Sequence, residues 1–300
     1  MAWRKLGQLF VPNSTHPALV SHSALPVPAH LSGDLFRIFY SGRDSSNRSS
    51  VGSVVARISE QPRIEESSPE PLLLPGSLGA FDDAGVGVGS IVRGQSEDRL
   101  YYMGWNIGGS VPWRNAIGVA VGSASEGRFE RLSAGPVMDR DPVDHFSLSY
   151  PCVLNNGPDQ WEMWYGTHIE WGAEKADMSH AIRRAISADG ITWKRSPQIV
   201  VDVEPGEVAV VRPSVHRTGD GYRMWFARRG HGAYDIAYAV SRDGINWLRK
   251  DAKFPMPEAE GWEGGAATYP AVFDHGGRLW LLYNGAGYGK TGFGLAVWEA

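Results

Sequence analysis

Trp161-Glu-Met-Trp-Tyr165-Gly-Thr167 is a short aromatic strand that ends in small and polar residues, and it occurs in five versions. The others are Arg37-Ile-Phe-Tyr40-Ser-Gly42, Leu100-Tyr-Tyr-Met103-Gly-Trp105, Tyr222-Arg-Met-Trp-Phe226-Ala227 and Leu279-Trp-Leu-Leu-Tyr283-Asn-Gly285. Aromatic residues suit a pleated, half-buried surface. The copies lie about 57 to 63 residues apart, a period at which self-similar segments build propellers or solenoids. A parallel β-helix has a far shorter repeat.

Each copy has the same neighbours. About ten residues upstream lies an apolar strand, three times opened by an X-Pro pair: Tyr150-Pro151, Arg212-Pro213 and Tyr269-Pro270. Proline is tolerated where a strand needs no ladder donor. Downstream lies a third strand, and two of these run into nearly the same hairpin, Ser187-Ala-Asp189-Gly190-Ile-Thr-Trp193 and Ser241-Arg-Asp243-Gly244-Ile-Asn-Trp247. Asp-Gly supplies the positive φ of a tight turn. The motif repeats, and active sites seldom do, so its Ser and Asp are structural. The pattern predicts an all-β five-bladed β-propeller with four-stranded antiparallel blades, one domain over residues 1–300. The chain ends inside the fifth copy without a fourth strand, and Ala2 to Phe10 offers a spare one, so the N-terminal strand is expected to close the last blade.

Composition narrows the classes of function. A net charge of −4 without a basic stripe argues against a nucleic-acid partner. One cysteine, Cys152, excludes an internal disulfide and suits a reducing compartment; in its apolar run it reads as a buried, inert thiol. Met1 to Phe10 lacks a signal-peptide apolar stretch, and no run is long enough to span a bilayer, so the expected location is cytoplasmic with no membrane partner. The histidines show no ligand spacing that demands a metal, and Tyr288-Gly-Lys290-Thr-Gly is no phosphate-binding P-loop. No cofactor is expected.

Several segments resemble the five-bladed superfamily of arabinanases, β-xylosidases, invertases and mannoside phosphorylases, and within it a group of uncharacterised bacterial glycosidase-like proteins. They are Ser21-His22, Tyr40-Ser-Gly-Arg43-Asp44, Phe81-Asp82-Asp83-Ala-Gly85, Pro112-Trp-Arg114-Asn115-Ala-Ile-Gly118, Glu207 before Arg212-Pro213, and Tyr283-Asn284-Gly-Ala-Gly-Tyr288-Gly-Lys290-Thr-Gly-Phe-Gly294. The resemblance implies chemistry at the narrow axial end, where three carboxylates act as base or nucleophile, acid, and modulator of the acid. Asp82-Asp83 matches one such place and Glu207 offers a second. The first-blade place reads Ser21-His22-Ser23-Ala24, the third Ser147-Leu-Ser149-Tyr150 with Asp144 just before it, and the fifth Gly264-Gly-Ala-Ala-Thr268, none with an acid.

The candidate catalytic residues are therefore Asp83, Glu207 and His22. Asp83, with Asp82, either points an acid inward or closes an Asx turn. Glu207 is an acid at the mouth or a surface residue. His22 is a general base near neutral pH, a phosphate ligand or a hydrogen-bonded structural histidine. Arg212 is an anion clamp or an interblade ion-pair member, and Arg43-Asp44 contact ligand or fix their loop. Arg114, Asn115, His168, Glu170, Arg228, Arg229, Asn284 and Lys290 lie on loops after second strands, which ring closure brings to one rim. Trp105 offers a stacking platform, as do Trp113, Trp171 and Tyr288, and Tyr269 joins the lining. The rim carries more positive than negative side chains, which points to an anionic ligand. The expected function is a glycosidase-like enzyme that hydrolyses or phosphorolyses a glycoside or anionic sugar derivative. The alternatives are a non-hydrolytic biosynthetic step (cyclisation, elimination or isomerisation) and a non-catalytic carbohydrate-binding module.

Overall fold

A computed structural model describes residues 2–13, 16–172, 178–230 and 232–299. Among them lie twenty strands and only short helical turns. Strand β1 is Ala2–Phe10. Then come four runs of four: β2 (Ser21–Ser32), β3 (Leu35–Arg43), β4 (Ser49–Arg57) and β5 (Arg63–Ser67); β6 (Gly85–Val92), β7 (Asp98–Ile107), β8 (Trp113–Ser123) and β9 (Arg128–Arg131); β10 (Leu148–Asn155), β11 (Trp161–Glu170), β12 (Ser179–Ser187) and β13 (Lys194–Val201); β14 (Ala209–Thr218), β15 (Gly221–Arg229), β16 (Tyr234–Ser241) and β17 (Trp247–Arg249). The last run is β18 (Thr268–His275), β19 (Arg278–Asn284) and β20 (Phe293–Glu299).

Within each run, successive strands pair antiparallel. Strand β1 pairs antiparallel with β20, so the two ends of the chain make one sheet. First strands pack on one another in a cycle: β2 on β6, β6 on β10, β10 on β14, β14 on β18, and β18 on β2.

One hydrogen bond repeats around that cycle. The amide of Val88 donates to Ser41 Oγ at 2.9 Å, Val153 to Ser90 Oγ at 3.0 Å, Val215 to Cys152 Sγ at 3.3 Å, Val272 to Ser214 Oγ at 3.0 Å and Leu25 to Asn284 Oδ1 at 2.8 Å. Each bond ties an inner strand to the preceding unit. Cys152 is thus a buried acceptor in this series, and burial raises its thiol pKa. The repeated hairpins link units as well: Tyr101 donates to the carbonyl of Gly190 at 2.9 Å, and the Trp164 indole to that of Gly244 at 2.9 Å.

Every first strand carries a one-residue register shift at the same depth: between Ala24 and Val27, Val88 and Ser90, Ser149 and Cys152, Val211 and Ser214, and Thr268 and Ala271. In four of these the extra residue precedes a proline and is left-handed: Leu25 (φ 57°), Tyr150 (49°), Arg212 (57°) and Tyr269 (54°). Bulky side chains rarely adopt this conformation, and each instance costs about 1–3 kcal/mol. A bulge re-aims its side chain. Here it gathers Leu25, Tyr150 and Tyr269 into one apolar cluster with Val86, Val88 and Val211.

Candidate functional site

The second and third strands of a unit meet across a ladder, and at one end of that ladder the paired residues are Arg43 with Ser49, Trp105 with Asn115, His168 with His180, and Arg229 with Tyr234. All eight line one cavity of about 380 Å³. In the first four units the second-strand member stands three residues after the conserved aromatic: Tyr40, Tyr102, Tyr165 and Phe226. Side chains two apart share a face, so the same parity places one large polar or aromatic group per unit at the mouth. Tyr150 and Tyr269, aimed by the bulges, and Tyr288 complete the wall.

The tyrosines form a connected cluster. Ring centroids lie 6.0 Å apart for Tyr150 and Tyr269, 5.7 Å for Tyr234 and Tyr269, and 5.2 Å for Tyr269 and Tyr288. Burial raises the pKa of all four phenols, most strongly for Tyr150 and Tyr269, so they are neutral donors. The Arg43 guanidinium lies 5.1 Å from the Tyr288 ring centre and that of Arg229 5.2 Å from Tyr234. Arg212 is 2% exposed; Nη1 donates to the Gly89 carbonyl at 2.5 Å, and Nε has no hydrogen-bond partner among the described residues. Burial lowers its pKa, against the pull of the neighbouring Cys152, Tyr150 and Tyr288. Among the described residues the lining carries two guanidinium groups and no carboxylate.

Of the residues singled out from sequence, Arg43, Trp105, Trp113, Asn115, His168, Arg229, Tyr269 and Tyr288 line this cavity. The three catalytic candidates do not. Asp83 accepts from the amide of Gly79 at 2.9 Å, an Asx-type contact within its own loop. Glu207 is gripped by Arg249 at 2.7 and 2.8 Å. His22, left-handed at φ 61°, sits beside Ser21 Oγ at 2.9 Å. Burial, then the charges of Arg43 and Lys290, bring its pKa down to about 4, too low for a general base near neutrality.

Asp82 is 1% exposed and accepts from Arg131 at 2.8 Å and Tyr102 at 3.2 Å. The same arrangement recurs: Asp144 takes Arg195 at 3.2 Å and Tyr165 at 2.8 Å, Glu207 takes Arg249, and Glu263 takes Lys5 at 2.6 Å. In these four units an acid before the first strand holds a base on the fourth. The residue numbers 82, 144, 207 and 263 follow the repeat, and that periodicity was the sequence signal that these acids are structural.

Other candidates are also absent from the lining. Asp44 caps its loop through Ser46, Arg48 and the Arg48 guanidinium. Arg114 neighbours Asn115 and has the opposite parity. Arg228 binds Asp235 and Asp251, each at 2.7 Å, while its neighbour Arg229 faces the cavity. Glu170 is exposed at the end of β11, and Lys290 is exposed after Tyr288. Asn284 is saturated by Leu25, Ser23 and Gly292. Of the other aromatics, Trp113 and Tyr288 line the cavity, and Trp171 packs on Trp113 at 5.6 Å. His180, Tyr150 and Tyr234 were not singled out from sequence as site residues. Aligning the repeats by strand position separates Arg229 from its neighbour Arg228.

No family model matches the chain. Solved structures of similar fold include a glycosyl hydrolase from Bacteroides ovatus, at 14% identity and a TM-score of 0.73 over 99% of this chain and 93% of that one. A structure from work on the GH130 family of mannoside phosphorylases, described there as containing hydrolases of β-1,2 mannosidic linkages in Candida mannan, gives 14%, 0.73, 99% and 93%. A thermostable family-43 glycoside hydrolase gives 15%, 0.64, 96% and 91%. At such identities the likeness is one of fold, that of glycoside-hydrolase-like propeller proteins. Two Mycobacterium tuberculosis sequences, uncharacterized protein Rv1502 of strain H37Rv and uncharacterized protein MT1551 of strain CDC 1551, are each 46% identical to this chain over the whole of both lengths, and the chain belongs to their family.

Proposed function

We propose that residues 1–300 form one five-bladed propeller, closed by its N-terminal strand, and that its axial cavity binds an anionic sugar derivative as a glycosidase-like enzyme. The observation that carries this reading is the lining itself: Arg43 and Arg229, neutral phenols and imidazoles, tryptophan faces, and among the described residues no carboxylate. Guanidinium groups favour phosphate and carboxylate ligands, and Trp105 and Trp113 provide faces for a sugar ring. Hydrolysis by the usual route needs two carboxyl groups flanking the bond. Transfer to phosphate fits this lining better, because the arginines hold an anion where a hydrolase holds water. The absence of a carboxylate from the described lining favours a second reading, a non-catalytic carbohydrate-binding module.

Calorimetry with inorganic phosphate and D-glucuronate tests the binding. At least one anion is expected to bind, and Arg43→Ala to weaken it about 10-fold or more, the scale of one charge-assisted hydrogen bond. Failure of both anions to bind, or binding indifferent to Arg43→Ala, would overturn the reading. Turnover of aryl glycosides that depends on phosphate separates the enzyme from the binding module.

A further inference from the structure

His168 and His180 are opposite one another on β11 and β12, with ring centroids 4.0 Å apart. Both are buried, at 3% and 7% exposure, and both line the axial cavity. Among the described residues neither ring nitrogen of His180 has a hydrogen-bond partner, nor does Nδ1 of His168. On the adjoining unit Asn115, 7% exposed, also lines the cavity, and its Oδ1 is partnerless too. Buried polar atoms are ordinarily paired, and each exception calls for an explanation. Here four atoms on one stretch of wall, built by the second and third units, are exceptions together.

Burial holds both imidazoles neutral, His168 well below its ordinary pKa and His180 at about 3. Each neutral imidazole then carries one N–H donor and one acceptor nitrogen, and Asn115 Oδ1 adds an acceptor. Neutral donors and acceptors in contact do not select an anion, whose charge is better met at Arg43. A divalent cation is disfavoured, because the Arg229 charge acts directly on His180. An apolar ligand would leave all four atoms unsatisfied. A hydroxyl group both donates and accepts, and neighbouring hydroxyls of one ring are spaced closely enough to meet two imidazoles in contact. Trp105 and Trp113 on the same wall would cover the ring's C–H face.

We infer that His168, His180 and Asn115 form a neutral subsite that takes adjacent hydroxyl groups of a sugar ring, apart from the arginines that take its charge. The inference rests on the anionic-sugar reading for its setting and deepens it: the ligand is a polyhydroxylated ring bearing an acidic group.

The test is calorimetry on the full chain with inorganic phosphate, hexose 1- and 6-phosphates, methyl glucoside, methyl mannoside and Zn²⁺ as probes. At least one hexose phosphate should bind about 10-fold or more tightly than inorganic phosphate. His168→Phe should remove that excess and leave the affinity for inorganic phosphate unchanged, while His168→Gln should keep part of it. Asn115→Ala, on a different strand, should reduce the excess as well, which covers the case in which His168→Phe fails to fold. Hexose phosphates binding no more tightly than phosphate, or a loss in the variants that phosphate shares, would overturn the subsite. So would stoichiometric Zn²⁺ binding abolished by His168→Phe, which would make the pair a metal site. If no anion binds the unaltered protein, the anionic reading fails alone. The methyl glycosides then decide the subsite, supported by binding that His168→Phe removes and refuted by no binding.

Discussion

Asp83, with Asp82 beside it, and Glu207 look in sequence like a catalytic pair, and the partners of these acids decide otherwise. Asp82 is buried against Arg131 and Tyr102, so Asp82→Asn should cost about 3 kcal/mol in urea denaturation, as expected when one partner of a buried pair is removed. Its affinity for anionic probes should stay within a factor of two. Glu207 is more accessible, and its replacement by Gln should cost about 1 kcal/mol. Burial alone would raise the Glu207 pKa, but Arg249, the Glu204 amide and Arg228 together hold it below the ordinary value. A carboxylate depressed in the folded state contributes stability above its unfolded pKa and loses it as pH falls through the folded one. The stabilities of the unaltered protein and Glu207→Gln should therefore differ at pH 7 and converge in acid. A gap that persists below that range would contradict the ion-pair assignment.

At the scale of elements, the bulge and the hairpin are the repeated devices. The bulge turns Tyr150 and Tyr269 toward the cavity, and the hairpin anchors one unit on its neighbour. Gly244 at φ 72° sits under the Trp164 indole, where an added Cβ would lie 2.9 Å from a ring carbon. Gly276 at φ 58° has open space around it. Substitution of either by Ala should be destabilising, by about 1 kcal/mol for Gly276, from conformation alone. The loss should be larger for Gly244, about 2–3 kcal/mol, because the interface must also shift. Thermal melts of the two variants compare these terms, and equal losses would mean that the Gly244–Trp164 contact is loose.

For the whole molecule, the junction between the first and last strands is the place where one sheet depends on residues far apart in the chain. Lys5 Nζ meets Glu263 at 2.6 Å, with side-chain exposures of 4% and 0%. It also donates to the carbonyl of Glu258 at 2.7 Å. Lys5→Met leaves a buried carboxylate without its partner, and the expected cost is about 3–5 kcal/mol. The double variant Lys5→Met with Glu263→Gln should recover part of that loss, since the two effects are coupled. Differential scanning calorimetry at pH 7 measures both. A Lys5→Met variant that melts like the unaltered protein would show that β1 contributes little to closure.

The aromatic strands, the Asp-Gly hairpins and their common period were legible in the sequence, because strand propensity and turn chemistry are local and each repeat states them again. Of the basic groups counted around the mouth, Arg43 and Arg229 line the cavity, while Arg114, Arg228 and Lys290 do not. Which side chain faces the axis was not legible. A single extra residue in each first strand re-aims Tyr150, Arg212 and Tyr269, and one step along β15 separates Arg229 in the cavity from Arg228 in an ion pair. The roles of the acids were equally hidden, because their partners lie across whole units, Arg131 for Asp82 and Lys5 for Glu263. Local sequence sets where strands start and turn. Only the tertiary structure decided which polar atoms found partners and which, among the described residues, did not, since pairing depends on distance in space rather than along the chain.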